Sequence, residues 1–374
     1  MKKRRIVCLL LLISLIVTTL SGAIIYAESD SQLQATESYA NQIINDGVTY
    51  HFTAQIPLKS STGEVEYSFY SMSPQGFVIY NEVTARFEEL APYAVVMPYT
   101  SSANGVRKDY YYLGPDNYFY LDDGVYKDCI TNEALTTGNL TTLIQIESVK
   151  RSAEASLSTA SSSDERTVSY SIARGPIPII RVVNYYIPNE NYFTSLLGNY
   201  FGLNVNGTCT MVASQILLGY YNYYSGLNVF IDSQYCDGYG TTESFHQLMI
   251  NYIKPSGGGA FFSEATNGIN AYLDTRSGVT VDAHLVTSGH SGVFNVVSRK
   301  IREGYPVATA MFSWYNSDCP MNHANITYGY SMIYSNQTGE LDGIYYYVHN
   351  GWKNSSSNLK SYNYAWFAHA IYLE

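Results

Sequence analysis

The chain has 374 residues, 46% of them hydrophobic and 14% charged. It can therefore bury a core, which excludes a chain disordered throughout, and its length allows about two or three domains. The formal charge is −10, and Lys2, Lys3, Arg4 and Arg5 form its one dense basic cluster. The rest of the chain is more acidic still, which speaks against nucleic acid or an anionic membrane surface as a partner. There are 38 Tyr against 14 Phe and 3 Trp, a bias that favours half-buried strands and wet aromatic surfaces over a membrane bundle.

The N-terminus reads as an export signal. The basic head is followed by Ile6 to Leu20, an uncharged apolar stretch, and by Ile25-Tyr26-Ala27 as a small-residue cleavage site before Glu28. An uncleaved anchor is the alternative. No cysteine stands at a lipoprotein position, and no second span of about 20 apolar residues follows. The expectation is a secreted, extracellular protein exported by a bacterial route, with no stable membrane association after the signal is removed. Cys8 leaves with the signal; Cys129, Cys209, Cys236 and Cys319 remain. Two disulfides are allowed but not required at this length, and Cys236 with Cys319 is one such pair.

Residues 28–46 are polar and helix-compatible, and read as a leader segment. From Val48 onward, short β-type runs alternate with turn signals: Val65–Tyr70, Gly76–Tyr80 and Asp109–Leu113, broken by Gly114-Pro115 and Asp122-Asp123-Gly124. This predicts a small, mainly antiparallel β domain over 28–151. Residues 152–169 form a linker whose first part, Ser152 to Glu165, reads SAEASLSTASSSDE and lacks apolar periodicity. Beyond it, Thr210 to Tyr224 is near-continuously apolar, with Val212, Ile216 and Tyr220 at four-residue spacing and Gly226 as a stop. Val293 to Arg302 reads as an amphipathic helix capped by Gly304. Pro306–Phe312, Ala324–Tyr330 and Ile344–Val348 read as strands. The fold class is α+β, with residues 170–374 as the larger domain.

Cys209 stands at the first turn of the buried helix, after Asn206-Gly207-Thr208. A helix N-terminus carries about half a positive charge and presents free N–H groups, both of which favour a thiolate. A small buried cysteine is the structural alternative. His323, at the head of a strand, is the candidate partner that turns the thiol into an imidazolium–thiolate pair. His51 lies in the other domain. His246, His284, His290 and His369 lack a strand-start setting, and His349 is the serious rival. Asn350, after the strand Ile344–Val348, offers an amide oxygen to orient the imidazole, and Trp352 an indole to shield it. No metal-binding or nucleotide-binding motif appears, so no cofactor is expected; Gly257-Gly258-Gly259 is a loop.

The order of these groups resembles the papain-like cysteine peptidases. The run Cys209-Thr-Met-Val-Ala-Ser-Gln215-Ile-Leu217 is similar to the cysteine-led helix of the streptopain family and of double-glycine-peptidase-like domains. Arg302-Glu303-Gly304-Tyr305-Pro306-Val307 is similar to the Gly-x-Pro-Val step before their catalytic His. Tyr347-Val348-His349-Asn350-Gly351-Trp352 resembles their Asn/Trp segment. The resemblance covers about 170–374. Gly76–Tyr80 with Glu88-Glu89-Leu90-Ala91-Pro92 resembles, more loosely, the prodomain of streptopain-type zymogens.

Three positions depart from the pattern. Leu203 stands where papain-like enzymes carry a Gln oxyanion donor, so Asn204 or Asn206 would serve instead, with the Cys209 N–H. Thr210 stands where a smaller residue is usual. His349-Asn350 leaves open which side chain meets His323. The resemblance implies a secreted cysteine peptidase that acts on peptides or proteins, made as a zymogen whose own N-terminal domain inhibits it. Its site residues would be Cys209, His323, Asn350, Asn204, Asn206 and Trp352. A transamidase or transpeptidase using the same thioester, and a non-catalytic exported binding protein, are the alternatives.

Overall fold

The computed structural model describes residues 32–99 except 45, 108–151 except 139, 142, 146 and 149, and 180–195. It also describes 208–255 except 227 and 239, 259–336 except 312–322, 338–351 and 359–374. The expected signal segment, the expected Ser-rich linker, Asn204, Asn206, Cys319 and Trp352 lie outside these.

The chain opens with helix α1 over 32–44, whose Thr36, Tyr39, Ala40, Ile43 and Ile44 make a buried stripe at helical spacing. Seven strands follow: β1 (His51–Lys59), β2 (Val65–Ser73), β3 (Phe77–Asn81), β4 (Arg86–Ala91), β5 (Asp109–Tyr112), β6 (Tyr118–Asp122) and β7 (Val125–Asp128). Residues 137–151 are helical at their described positions and form α2. The second half begins with β8 (Ile180–Tyr186), the short α3 (Asn191–Ser195) and α4 (Cys209–Tyr224). A two-stranded ribbon, β9 (Cys236–Asp237) with β10 (Gly240–Thr241), leads to α5 (Glu243–Ile253) and α6 (Phe262–Leu273). Then come β11 (Ala283–Val286), α7 (Gly289–Glu303), β12 (Val307–Met311), β13 (Ala324–Ser335), β14 (Leu341–His349), β15 (Leu359–Asn363) and β16 (Phe367–Leu373). The strands expected from the sequence overlap β2, β3, β5, β12, β13 and β14, with Phe312 outside the described residues, and both expected helices form.

This is a mixed α/β fold built on one large sheet. The order is β11-β16-β12-β13-β14-β15-β4-β3-β2-β1-β5-β6-β7, with β8 paired to the far part of β13. The two halves of the chain therefore share a sheet. β15 pairs antiparallel with β4, setting Ser361 opposite Leu90 and Tyr362 opposite Glu89. Helices α4 and α7 both pack on β12 and β13. Helix α7 buries Val293, Val297 and Ile301, the face its periodicity predicts, and ends at Gly304, whose φ of 91° suits glycine.

Helix α1 is no loose leader. Its stripe packs on Val78, Phe87 and Leu90 of the first half and on Ile333 and Tyr345 of the second. The Tyr347 hydroxyl donates to Ile43 O at 3.1 Å. Further bonds cross the same junction: Trp366 Nε1 donates to Glu88 at 2.9 Å, Phe87 N donates to the Tyr345 hydroxyl at 3.1 Å, and Arg86 pairs with Asp342 at 3.2 Å. Glu88 also takes the Lys150 ammonium of α2, and both are almost fully buried. Charges removed from water in this way must be paired to be tolerated.

The tyrosines build this core instead of a wet surface. Among the described residues Tyr186 is the one exposed tyrosine, at 36%. Tyr330 stacks on Tyr185 at 4.7 Å, and Tyr112 meets Trp366 edge-on at 6.4 Å across the junction. Such ring pairs add about 0.5–1.5 kcal/mol each beyond burial. An exported adhesion surface of exposed tyrosines finds no support in this arrangement.

Candidate active site

Helix α4 is apolar enough to run through the core, and every residue from Cys209 to Asn222 is buried. Its first residue is Cys209. The N-cap Thr208 makes no side-chain capping bond, so the first-turn N–H groups keep their pull on a nearby anion. The next residue explains one departure from the expected pattern. Thr210 donates its hydroxyl to Ala260 O at 2.9 Å and ties the helix start to the segment before α6.

His323 extends β13 by one rung, because Met311 N donates to His323 O at 3.2 Å. Its Nε2 donates to the main-chain oxygen of Asn350 at 2.5 Å. That leaves Nδ1 for the sulfur, and the His323 side chain hydrogen-bonds Cys209. The two are 6% and 7% exposed.

Electrostatics follow from the contact. Burial pushes the Cys209 thiol up, but the hydrogen bond from His323, the imidazolium charge and the Ala324 N–H outweigh it. The thiol ends below its ordinary value. Burial pulls His323 down, yet the Cys209 hydrogen bond and charge, the Asp116 carboxylate and the Asn350 carbonyl hold it above its ordinary value. Opposite shifts of this kind mark a thiolate–imidazolium pair.

The rival histidine plays another part. His349 is fully buried, and burial pushes it down to about 3, so it stays neutral at physiological pH. Its Nδ1 accepts from Gly351 N at 3.1 Å. Gly351 has φ 76°, and a Cβ there would come within 3.1 Å of Val212 Cγ1 on α4. His349 and Gly351 therefore lock the turn that aims the Asn350 carbonyl at His323.

Sequence reasoning brings Cys209, His323 and Asn350 to one place. It expects the Asn350 side-chain amide to meet the ring, whereas the ring's hydrogen bond runs to the Asn350 main chain. Asn204, Asn206 and Trp352 lie outside the described residues. Cys129 and Cys236 carry free thiols, both pushed up first of all by burial, Cys129 to about 12. Cys209 alone of these three is shifted toward reactivity. Among the described residues, no cluster of His, Cys, Asp or Glu is arranged to hold a metal ion, and no helix is long and apolar enough to cross a membrane.

The sequence reasoning missed a buried cluster of acidic and basic groups, one of which, Asp116, acts electrostatically on His323. Lys360 of β15 is buried and bonds Glu89 at 2.8 Å, Asp116 at 2.5 Å and the Tyr118 hydroxyl at 3.2 Å. Asp116 also accepts from the Tyr362 hydroxyl at 2.5 Å. In the sequence Asp116 follows a Gly-Pro turn signal and looks like ordinary turn chemistry. Besides the nearby Tyr118 hydroxyl, its partners lie more than 240 positions downstream.

No family model matches the chain, and no curated protein matches it. Among solved structures, the chain is similar to a fragment of prointerpain A from Prevotella intermedia. The identity is 11%, over 85% of this chain and 98% of that one, with a TM-score of 0.39.

Proposed function

We propose that the chain is an exported cysteine peptidase of papain-like type, made as a precursor. The observation that carries this reading is the Cys209–His323 pair. The thiol opens a buried helix and is shifted down, and the imidazole is shifted up and fixed on a main-chain carbonyl.

In the proposed reaction the Cys209 thiolate attacks a peptide carbonyl carbon, and the carbonyl π pair moves onto oxygen. The Cys209 N–H donates to that oxyanion, with Asn204 or Asn206 as the side-chain donor. The C–N bond then breaks as the His323 imidazolium gives its proton to the leaving amine, which leaves a thioester on Cys209. Water attacks the thioester while His323 takes its proton. The acid departs and the thiolate–imidazolium pair is restored. The nearly full burial of the dyad supports a covered precursor, in which the N-terminal module acts as an intramolecular inhibitor until the 152–169 linker is cut. The export signal rests on the basic head and apolar run of the first 27 residues.

The test is peptide cleavage by the full chain before a protease nick in 152–165, and after the nick and an acid step that releases the N-terminal module. Mass spectrometry would read the products with and without an added amine. New C-termini that appear after the nick and vanish with a thiol-alkylating agent are expected. Amine-capped products would move the reading to a transamidase. No cleavage in either state would overturn it.

A further inference from the structure

The junction of the two halves encloses a cleft of about 260 Å³, and neither Cys209 nor His323 lines it. The first half contributes Asp46, just after α1, and Tyr93, just after β4. The second contributes Tyr186 of β8, Tyr328 of β13 and Tyr347 of β14, with Glu190 between β8 and α3. The cleft is therefore complete only while the halves are docked. Tyr186 packs on Tyr347 with ring centroids 4.7 Å apart. Tyr328 is nine-tenths buried, and its hydroxyl makes no hydrogen bond among the described residues. The Glu190 carboxylate, exposed at the rim, likewise makes no hydrogen bond or ion pair among them. Asp46 is fixed by three donors: the hydroxyls of Tyr50 at 2.8 Å and Tyr93 at 2.9 Å, and Val48 N at 2.9 Å.

Lys360 also lines the cleft, so the sign of charge it accepts must be argued. An ammonium has three N–H groups. Lys360 spends them on Glu89 at 2.8 Å, Asp116 at 2.5 Å and the Tyr118 hydroxyl at 3.2 Å. It has none left for an anion, and the two carboxylates offset its charge. What the cleft leaves open is an unpaired carboxylate, an unpartnered hydroxyl and tyrosine ring faces, beside a second carboxylate held in place. All of these favour positive charge. A cation within about 6 Å of a tyrosine ring face is attracted to it, more strongly where water is excluded. A planar cation with paired N–H groups also matches a carboxylate on two oxygens at once. At about 30 Å³ for each water displaced, the space equals that of about nine waters.

We propose that this cleft binds a small planar organic cation of the guanidinium or amidinium class. The cation pairs with Glu190, lies against the Tyr186 and Tyr347 rings, and gives one N–H to the Tyr328 hydroxyl. Because both halves line the cleft, the cation binds the docked chain and stabilises the docking by mass action. The site is separate from Cys209 and His323 and does not depend on peptide hydrolysis.

The experiment titrates the full chain by calorimetry with three probes of one shape and different charge: benzamidinium, benzamide and benzoate. Benzamidinium is expected to bind at one saturable site and to raise the melting temperature. Benzamide is expected to bind about tenfold more weakly, the combined worth of a cation–π contact and an exposed ion pair. Benzoate is expected not to bind. Glu190→Gln should weaken benzamidinium about fivefold, the upper end for an exposed ion pair, and leave benzamide unchanged. Tyr328→Phe should weaken it about fivefold, the worth of one ordinary hydrogen bond. Neither side chain has a polar partner to lose, so both variants should melt with the parent when no probe is present. Acetyl-arginine amide, tested alongside, tells an arginine side chain from a free small cation: tighter binding than benzamidinium points to the first and weaker binding to the second, and the site stands in both cases. Equal binding of the three probes, tighter binding of benzoate, or benzamidinium binding that neither variant weakens overturns the proposal. No step needs turnover, so the site stands or falls apart from the peptidase reading.

Discussion

His323 Nε2 lies 2.5 Å from the main-chain oxygen of Asn350, so the imidazole is steered by a group that cannot titrate. The bond fixes Nε2 as a donor and turns Nδ1 to the sulfur, which defines a pH window. Cys209 lies below its ordinary value, so its thiolate persists as pH falls below the usual thiol range and is lost only at the lowered value. His323 lies above its ordinary value, so its positive charge persists above the usual imidazole range and is lost as pH rises through the raised value. Alkylation of Cys209 should therefore stay fast well below the pH at which an ordinary thiol ionises. In His323→Ala the thiol keeps its burial and loses the imidazolium, so the acid limb should move up toward or beyond the ordinary thiol range. A His323→Ala profile that overlays the parent would show that the helix terminus alone ionises the sulfur.

Cys209→Ala should abolish turnover, lowering kcat by at least about four orders of magnitude, as loss of a nucleophile does elsewhere. It should also remove the neutral-pH label that mass spectrometry maps to position 209, while burial pushes the Cys129 and Cys236 thiols up and keeps them slow. The change trades a small buried side chain for a slightly smaller one, and without the thiolate His323 releases its proton so that no buried charge is stranded; the melting temperature should hold. Undiminished peptide cleavage by this variant would be incompatible with the proposed chemistry.

His349 and His323 make opposite predictions, although both are buried and stand at the same end of the sheet. His349→Ala strands the Gly351 N–H that its Nδ1 accepts, at a cost of about 1–3 kcal/mol. The melting temperature should drop and the turn should loosen. The alkylation signal at neutral pH should survive, because the Cys209–His323 contact remains. Loss of that signal in His349→Ala, with retention in His323→Ala, would reverse the two roles.

Much of this arrangement was legible in local sequence. Periodicity found α4 and α7, turn signals bounded the strands, and a helix-start cysteine with a strand-leading histidine pointed to the Cys209–His323 contact. Long-range pairing was not legible. Nothing near Lys360 announces that β15 joins β4, because a strand edge recruits its neighbour through main-chain groups that every residue carries. Residues 32–44 read as polar, since Thr36, Tyr39 and Ala40 fill most of their buried stripe and only Ile43 and Ile44 in it are large aliphatics. The main-chain contact of Asn350 was not legible either: a carbonyl oxygen leaves no mark in a sequence.

The sheet shared across β4 and β15 bears on what a cut in the linker can do. Cutting 152–165 breaks one covalent connection but leaves the ladder from Ser361 and Tyr362 to Leu90 and Glu89. It also leaves the Trp366–Glu88 bond and the pairing of Lys360 with Glu89 and Asp116. Removing one partner of a buried pair typically costs about 3–5 kcal/mol, so the halves should stay together at neutral pH. Burial pushes Asp116 up, but Lys360 and His323 pull it down further, and it ends below the ordinary aspartate value. A depressed carboxylate supports the folded state above its unfolded value and loses that support as pH falls through the folded one. Lys360 is raised, so its support is lost only at high pH. Glu89 runs the other way: burial raises it, and protonating it removes a buried charge. Asp116 therefore sets the acid limit of the junction. Gel filtration of the nicked chain should show one species at pH 7 and two species only below the ordinary aspartate range, with peptide cleavage rising after that acid step. Separation of the halves at pH 7 without denaturant would show that the junction is weaker than its buried ion pairs imply.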